Sequence, residues 1–349
     1  MKALFIGLGS IGQRHLRNLF RLEPAAEVSA LRHSRTVPVL SDTNQVVLGA
    51  NIADHYGVTE FDSLEVSLKA RPDLIFITNP SNLHCEVAAQ ALETEAFIFI
   101  EKPLSNDWKG VEELAAKEHA SGKQRIAVGY QFRFHPALRL VADLLKENSI
   151  GRVVGARIVN GEYMPGWHSY EDYRNSYAAR RDLGGGALVT QIHDFDYALW
   201  LFGNPNSIFA VGGQLSTLEV DVEDSVQVLI SCDRDGAVLP VSISLDYLQW
   251  PPQRSFSVVG DEGRIDCDLI KNEVRLSNRL HGTEVLHRFP GFVRNEMFLD
   301  VMRNFLAFAS GKEKPSTDLK SSMASLTVAL AAKRSMETSE AIFLSLETR

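Results

Sequence analysis

The feature that most constrains the fold is a glycine-rich turn at the start of the chain. A short apolar run, Leu4–Ile6, leads directly into Gly7-Leu8-Gly9-Ser10-Ile11-Gly12, and a helix-prone stretch follows. Strand, G-x-G-x-x-G, helix is typical of a dinucleotide-binding unit. The glycines permit a tight turn and a close approach of the backbone to a pyrophosphate, whose charge the helix N-terminus stabilises. We therefore expect dinucleotide contacts from Gly7, Gly9, Ser10, Ile11 and Gly12.

The residues that follow the second strand bear on which dinucleotide is bound. About 20 residues after the turn, where an acidic side chain would accept the ribose 2′-hydroxyl, the chain carries Arg32. Arg32, Ser34 and Arg35 supply donors that suit a 2′-phosphate. They favour NADP over NAD, although two surface arginines after a strand would give the same pattern. NAD remains the alternative cofactor.

Composition and charge narrow the class of protein. The 36 basic and 44 acidic residues give a net charge of −8, which argues against non-specific binding to nucleic acid or to a membrane surface. No apolar run approaches the ~20 residues that cross a bilayer, and the N-terminus lacks the basic and cleavage features of a signal peptide. The three cysteines are widely spaced, which favours reduced core residues over disulfides or a zinc site. We expect a cytoplasmic enzyme with a small-molecule substrate and no metal.

The first third of the chain predicts an α/β domain. Apolar runs of strand length alternate with helical patterns up to about residue 125, which indicates a doubly wound parallel sheet of the Rossmann type over 1–125. After the first strand we expect strands at Glu27–Leu31, Val46–Leu48, Asp73–Thr78, Phe97–Ile100 and Arg125–Tyr130.

The remaining residues, 126–349, predict an α+β domain. Consecutive β-rich segments are separated by short turns, which indicates a large, open and mostly antiparallel sheet. A helix over Gly184–Leu201 interrupts these segments. Two C-terminal helices follow, and the C-terminal helix could pack back on the first domain.

Polar motifs follow two of the apolar strands of the first domain. The carboxyl edge of an open α/β sheet is where ligands bind, and a lysine there could be tuned for proton transfer by partial desolvation and a nearby cofactor charge. An ordinary capped loop and a surface lysine are the plainer interpretations. The predicted cofactor contacts at this edge are Thr78, Asn79, Pro80, His84, Glu101 and Lys102.

The second domain carries a histidine and an aromatic segment of interest. The glycines Gly184–Gly186 open a helix on which His193 and Asp196 share a face, and histidine is the natural general base near neutral pH. A lone helical histidine can also be structural. Residues 163–181 are rich in aromatic and basic side chains, which suit a sugar with acidic groups but also occur in cores and interfaces. The substrate candidates in this segment are Tyr163, Trp167, Tyr177 and Arg180.

Taken together and in this order, these motifs and Gly129–Arg133 resemble the glucose–fructose oxidoreductase / inositol dehydrogenase / MocA (Gfo/Idh/MocA) family over nearly the whole chain. The resemblance implies nicotinamide-dependent redox chemistry on sugars, cyclitols or related compounds. It also implies that the open sheet forms homodimers or homotetramers. It makes Lys102 the catalytic lysine and His193 the acid/base. We place Gln131 with the cofactor contacts, and the substrate contacts include Arg133, Asp196, Lys102 and His193.

One position departs from the family pattern. Many members have an aspartate three or four residues before the histidine, where this chain has Thr190 and Val189. Either Lys102 and His193 suffice, or Asp194 or Asp196 stands in.

We expect hydride transfer between nicotinamide and a hydroxyl or keto carbon of a sugar derivative. Similarity to members from surface-polysaccharide pathways favours an amino sugar, sugar acid or nucleotide sugar. The alternatives are an NAD-dependent glycosidase that oxidises its sugar transiently, and a non-catalytic, cofactor-sensing regulator.

Overall fold

The computed structural model describes residues 1–32, 37–168, 170–234 and 236–344. The chain forms two compact units. The first comprises Met1–Tyr130, His168–Asp172 and Phe298–Met323, and the second comprises Gln131–Trp167, Tyr173–Met297 and Ala324–Arg349. Within the described ranges, no helix combines the length and apolarity that a membrane crossing requires.

The first unit is built on a six-stranded, fully parallel sheet with the strand order β3-β2-β1-β4-β5-β6. This is the Rossmann order, in which the switch point lies between β1 and β4. The strands are β1 (Lys2–Ile6), β2 (Glu27–Leu31), β3 (Thr59–Phe61), β4 (Leu74–Ile77), β5 (Phe97–Ile100) and β6 (Ile126–Val128). The helices between them are α1 (Ser10–Leu22), α2 (Ile52–Tyr56), α3 (Leu64–Lys69), α4 (His84–Ala91) and α5 (Val111–Ala120).

Stacked aromatic rings form the core of this unit. Phe5 of β1 stacks on Phe76 of β4 with ring centroids 4.5 Å apart. Phe305 meets the edges of Phe76 and Phe99 at 5.3 and 5.4 Å, although it lies more than 200 residues further along the chain. A segment near the C-terminus therefore completes the core of the first unit.

The second unit contains a nine-stranded sheet with the order β14-β13-β12-β11-β7-β10-β9-β8-β15. Only β7 and β10 pair in parallel among the strands described. The strands are β7 (Val153–Gly161), β8 (Pro205–Gly213), β9 (Ser225–Arg234), β10 (Ala237–Asp246), β11 (Gln253–Gly260), β12 (Gly263–Asp268), β13 (Glu273–Asn278), β14 (Thr283–Arg288) and β15 (Ile342–Phe343). The remaining helices are α6 (Pro136–Lys146), α7 (Ala187–Thr190), α8 (His193–Phe202), α9 (Asn295–Ala309) and α10 (Leu319–Thr338), of which α9 and α10 each have residues in both units.

The α/β class and the two kinds of sheet are confirmed, but the predicted third strand is wrong. Val46 makes only an isolated bridge to Leu40, and Leu48 is 91% exposed, so this segment has no buried face to hold it in the sheet. The third strand of the sheet is β3, a short edge strand. Its polar Thr59 and Glu60 give little strand signal.

The predicted helix over Gly184–Leu201 is wrong in its continuity. Gly184 and Gly186 have φ values of +83° and +116°, which helical residues do not adopt, so α7 begins only at Ala187. The helix then stops at Gln191, whose side-chain amide donates to the carbonyl oxygen of Asp246 at 3.0 Å. Helix α8 begins at His193, which places that histidine in a first turn rather than in a helix interior.

Candidate active site

The glycine turn brings β1, α1 and the end of β4 into close contact. Gly7 has a φ of +93°, and a Cβ there would lie 2.9 Å from the amide nitrogen of Asn79. A Cβ on Gly12 would lie 2.5 Å from the carbonyl oxygen of Gly7. The hydroxyl of Thr78 donates to that same oxygen at 2.6 Å. Gly7 and Gly12 therefore permit packing within the protein, and Thr78 locks the turn to β4.

The first turn of α1 fits a pyrophosphate. Gly9 caps the helix without a side-chain hydrogen bond, and the turn contains no acidic residue. A Cβ on Gly9 would meet no atom of the described chain within 4 Å, so open space adjoins the unbonded amides of Ser10 and Ile11. Backbone donors and the positive end of the helix dipole suit a bound anion at this place.

The loop after β4 presents an unused acceptor. The side-chain oxygen of Asn79 is buried and has no hydrogen-bond partner among the described residues. A buried acceptor of this kind is normally satisfied, so it fits a ligand that brings a donor, such as a ribose hydroxyl or a carboxamide. Pro80 follows it at the carboxyl end of the strand and is exposed.

His84 links two loops. Its Nδ1 lies 2.8 Å from the carbonyl oxygen of Pro103, and its Nε2 lies 2.9 Å from that of Asn79. Carbonyl oxygens only accept, so only the imidazolium donates to both. Burial lowers the pKa of His84, and the two carbonyl oxygens and the Glu101 carboxylate oppose that shift. His84 is 1% exposed. Its two contacts connect the loop of Asn79 to the loop that contains Lys102 and Pro103.

Glu101 holds the backbone of Lys102 in place. One carboxylate oxygen lies 2.7 Å from Nε2 of His15, and the other accepts the backbone N–H of Lys102 at 2.9 Å. Nδ1 of His15 has no hydrogen-bond partner among the described residues, so the tautomer protonated at Nε2 satisfies this geometry. A buried carboxylate thus joins α1, which begins at the glycine turn, to the residue predicted to be catalytic.

The end of β2 carries an ion pair. Nη1 of Arg32 lies 2.5 Å from a carboxylate oxygen of Glu60 on β3, and the two side chains are 7% and 21% exposed. A carboxylate therefore does lie beside this strand end, although it comes from the neighbouring strand. Ser34 and Arg35 lie outside the described residues.

In the second unit, His193 begins α8 and is 4% exposed. Its ring centroid lies 5.0 Å from that of Phe132. The guanidinium of Arg254 lies over the ring of Phe132, 4.0 Å from its centroid. The histidine is therefore positioned through an aromatic ring that itself packs against a cation.

Asp194, the next residue, is fully buried and bound on several sides. It accepts hydrogen bonds from Arg254 Nη2 at 2.6 Å and Asn160 Nδ2 at 2.8 Å, and a short one from the hydroxyl of Tyr197. Burial and the Asp194 charge raise the pKa of Tyr197 well above its ordinary value, so this hydroxyl remains a donor.

Asp196 is held by a second arginine. Nε and Nη2 of Arg133 donate to its two oxygens at 3.0 and 2.7 Å, and Ser325 adds a contact at 3.4 Å. Burial raises the pKa of Asp196, and Arg133 opposes the rise. Both aspartates proposed as stand-ins are thus bound to arginines. Thr190, at the position of the family carboxylate, is 7% exposed.

The predicted substrate contacts in residues 163–181 differ in burial and in hydrogen-bonding partners. Trp167 packs edge-on against Tyr247 at 5.1 Å, and its indole N–H is buried with no partner among the described residues. The side-chain oxygen of Gln131 is also buried and has no hydrogen-bond partner among the described residues. Tyr163 is 42% exposed, Tyr177 lies in a 3-10 turn, and Arg180 forms an exposed pair with Asp182 at 2.6 Å. Among the described residues, Trp167 is the predicted contact of this segment with an unsatisfied group to offer a ligand, and Gln131, a predicted cofactor contact outside the segment, offers another.

Sequence reasoning missed four residues that organise the site. His15 lies one helical turn after Gly12, and this spacing was a readable signal. Glu60 and Arg254 carry no local signal, because each acts on a partner far away in sequence. Phe132 lies within the Gly129–Arg133 motif, but the motif does not reveal its contact with His193.

Family models match both parts of the chain. The model described as "Oxidoreductase family, NAD-binding Rossmann fold" matches residues 1–130, and the "GFO/IDH/MocA C-terminal domain" matches residues 138–266. The chain therefore belongs to the Gfo/Idh/MocA family and is a nicotinamide-dependent oxidoreductase.

Particular relatives span the whole chain. The myo-inositol 2-dehydrogenase of Thermotoga maritima is 25% identical, and the match covers 99% of this chain and 98% of that protein. The WlbA dehydrogenase from Bordetella pertussis, solved with NADH and UDP-GlcNAcA, has a TM-score of 0.78 at 20% identity and covers 99% of both chains. The UDP-N-acetylglucosamine 3-dehydrogenase GnnA from Acidithiobacillus ferrooxidans has a TM-score of 0.75 at 18% identity and covers 97% of this chain and 98% of that one. The two structures share the fold of this chain.

The Arg133–Asp196 pair yields a pH-dependent prediction. Arg133→Met leaves a buried carboxylate without its counter-charge, which should cost about 3–5 kcal/mol of unfolding free energy near neutral pH. Without the guanidinium, the carboxyl binds its proton more tightly in the folded chain than in the unfolded chain. The cost should therefore shrink as the pH falls through the raised pKa of Asp196. Urea unfolding at several pH values, followed by tryptophan fluorescence, measures it.

Arg152→Met serves as the matched control, because Arg152 forms only an exposed pair with Asp261 at 3.9 Å. It should change the unfolding free energy by no more than about 0.5 kcal/mol. A cost for Arg133→Met that is the same at acid and neutral pH would contradict the assignment of a buried charge.

Proposed function

We propose that the chain transfers hydride between nicotinamide and a hydroxyl or keto carbon of a sugar or sugar derivative. The observation that carries the proposal is the fixed backbone of Lys102, which the buried Glu101 holds at the carboxyl end of β5. The family membership and the sugar and cyclitol dehydrogenases among the relatives support the substrate class. Hydride acceptance and donation are the chemistry that the nicotinamide supplies when bound.

Each of the two proposed catalytic residues has a distinct part. The Lys102 ammonium hydrogen-bonds the reacting oxygen and stabilises the negative charge that develops on it. His193 takes the proton of a substrate hydroxyl during oxidation and returns it during reduction. Asp194 and Asp196 are bound to arginines, so we assign them to the positioning of the first turn of α8.

The relatives also suggest which sugars to test. The printed names include a myo-inositol dehydrogenase and an enzyme crystallised with UDP-GlcNAcA. We propose a cyclitol or a nucleotide-linked amino sugar or sugar acid, with Arg133, Tyr163, Trp167, Tyr177 and Arg180 as candidate contacts. The indole N–H of Trp167, which is buried and has no partner in the described part of the chain, is the most specific of these groups. A cytoplasmic location belongs to the same proposal, since a reducing compartment suits the three buried free cysteines.

Lys102→Met tests the catalytic assignment. Loss of a donor aimed at the developing charge should lower kcat by about 10²–10³-fold, while the dissociation constant of the cofactor changes little. Absorbance of the reduced cofactor, followed over a panel of cyclitols and nucleotide sugars, measures the first quantity, and fluorescence titration measures the second. Lys109→Met, at an exposed position, is the matched control.

Near-normal turnover by Lys102→Met would overturn the assignment. Substrate cleavage with no net change in reduced cofactor would favour the transient-oxidation glycosidase instead. Cofactor binding without turnover of any sugar in the panel would favour a cofactor-sensing regulator.

We further propose that NADP is the preferred cofactor and that Arg32 determines this preference. Glu60 holds the guanidinium at the end of β2, and an arginine at this strand end suits a 2′-phosphate. Ser34 and Arg35 remain candidate contacts on sequence grounds. NADH accompanies some of the structural neighbours, so NAD is the alternative.

Arg32→Ala should separate the two cofactors. It should weaken NADPH binding by about tenfold or more, since hydrogen bonds to charged groups contribute about 1.5–3 kcal/mol, and leave NADH binding nearly unchanged. Arg21→Ala, which removes an exposed arginine paired with Asp42, is the control. Tighter binding of NADH than NADPH by the unmodified protein, or equal losses for both in the variant, would contradict the proposal.

The open face of the nine-stranded sheet is the proposed interface between copies of the chain. Phe209 and Leu229 lie opposite each other on β8 and β9 and are 40% and 51% exposed. The same row of the sheet continues through Ser242 on β10, Arg157 on β7 and Ser257 on β11. A face with exposed apolar side chains on β8 and β9 beside polar ones on β10, β7 and β11 suits a homodimer or homotetramer.

Leu229→Asp should weaken self-association because it would bury a charge among the apolar side chains of β8 and β9. Sedimentation velocity over a range of protein concentrations measures the assembly. Leu280→Asp, in the exposed turn between β13 and β14, is the control. A monomeric unmodified protein, or an unchanged assembly in Leu229→Asp, would rule out this face.

A further inference from the structure

The ion pair at the end of β2 is determined by the register of the parallel sheet. Ala30 of β2 lies opposite Glu60 of β3, and Arg32 follows Ala30 by two residues. Two residues is the spacing at which side chains of an extended chain return to the same face. Nη1 of Arg32 accordingly lies 2.5 Å from a carboxylate oxygen of Glu60. The backbone register therefore holds a carboxylate beside the arginine.

The pair stands where Rossmann domains contact the adenosine ribose of the cofactor. An acidic side chain about 20 residues after the glycine turn accepts the ribose 2′-hydroxyl of NAD, and an arginine nearby accommodates the 2′-phosphate of NADP. This chain brings both groups together, the arginine from the end of β2 and the acid from β3. The Glu60 side chain is 21% exposed, so a bound cofactor can approach it.

A charge at this place acts in opposite directions on the two cofactors. A phosphate monoester carries a charge of about −1.5 to −2 near neutral pH, whereas a hydroxyl is uncharged and can donate a hydrogen bond. A carboxylate repels the phosphate and accepts from the hydroxyl. Charges that are partly buried are screened by salt much less than exposed ones, so the repulsion reaches across the site.

We propose that Glu60 is a specificity-determining residue that supports NAD and opposes NADP, so that the Arg32–Glu60 pair admits both cofactors. The Glu60 carboxylate accepts the 2′-hydroxyl of NAD. The same carboxylate offsets part of the attraction between Arg32 and the 2′-phosphate of NADP. The inference rests on the nicotinamide cofactor and on the proposed role of Arg32, and it is independent of the sugar substrate.

Glu60→Gln tests the charge and nearly preserves the shape, because the amide oxygen of glutamine can still accept from Arg32. NADPH should bind about tenfold more tightly, the effect of one charge removed at roughly 10 Å with an effective dielectric constant of about 20. NADH should bind about fivefold more weakly, since a hydrogen bond to a neutral acceptor is about half as strong as one to a carboxylate. Fluorescence titration with the two reduced cofactors gives both dissociation constants and needs no sugar.

Arg32→Ala and the double variant Arg32→Ala/Glu60→Gln complete a series in charge. The pair is positive in Glu60→Gln, neutral in the unmodified protein and in the double variant, and negative in Arg32→Ala. The preference for NADPH over NADH should fall in that order. The double variant leaves no unpaired charge. Its comparison with Arg32→Ala therefore measures the effect of Glu60 even if Glu60→Gln alone does not fold.

Glu95→Gln is the matched control. Glu95 forms an exposed pair with Lys123 at 3.3 Å and precedes β5, at the edge of the sheet opposite the carboxyl ends of the strands. It should leave both dissociation constants unchanged.

Equal losses for NADPH and NADH in Glu60→Gln would leave Glu60 a structural role only and would overturn the inference, as would an unchanged preference. The inference predicts the change in preference and not its starting value. Tighter binding of NADH by the unmodified protein would therefore contradict the proposed NADP preference alone.

Discussion

The arrangement of the first unit depends on one buried carboxylate. Glu101 is bound on one oxygen by His15 of α1 and on the other by the backbone of Lys102. Burial of an unbonded carboxylate is costly, so these contacts together determine where the residue sits. A single side chain thereby relates the helix that receives the pyrophosphate to the lysine proposed to act on the substrate.

The second unit uses buried charge in a similar way. The first turn of α8 contains two aspartates, and each is paired with an arginine from a distant part of the chain, Arg254 or Arg133. Removal of either partner would leave a charge uncompensated, so the pairs restrict how the helix can sit. His193, the first residue of that turn, is positioned through this network and through the ring of Phe132.

Much of the fold and part of the candidate site could be predicted from local patterns. The apolar runs of β1, β4 and β5 identify buried parallel strands, and Gly7–Gly12 identifies the dinucleotide turn, because each pattern reflects short-range geometry. Strand β3 and the break between α7 and α8 could not be predicted in this way. An edge strand with polar residues has little periodic signal, and the break depends on a contact between Gln191 and distant backbone. The pairing of Arg32 with Glu60 could not be predicted either, because the two residues are far apart in sequence.

The sequence by itself determined the class of fold, the nicotinamide chemistry and the two residues proposed for catalysis, since all of these follow from motifs of a few neighbouring residues. Only the tertiary structure decided what holds those residues. It assigned Glu101 and His84 to the support of the lysine loop and both aspartates to arginines. Partners of buried polar groups are chosen by proximity in space, and residues far apart in the chain carry no local signal of that proximity.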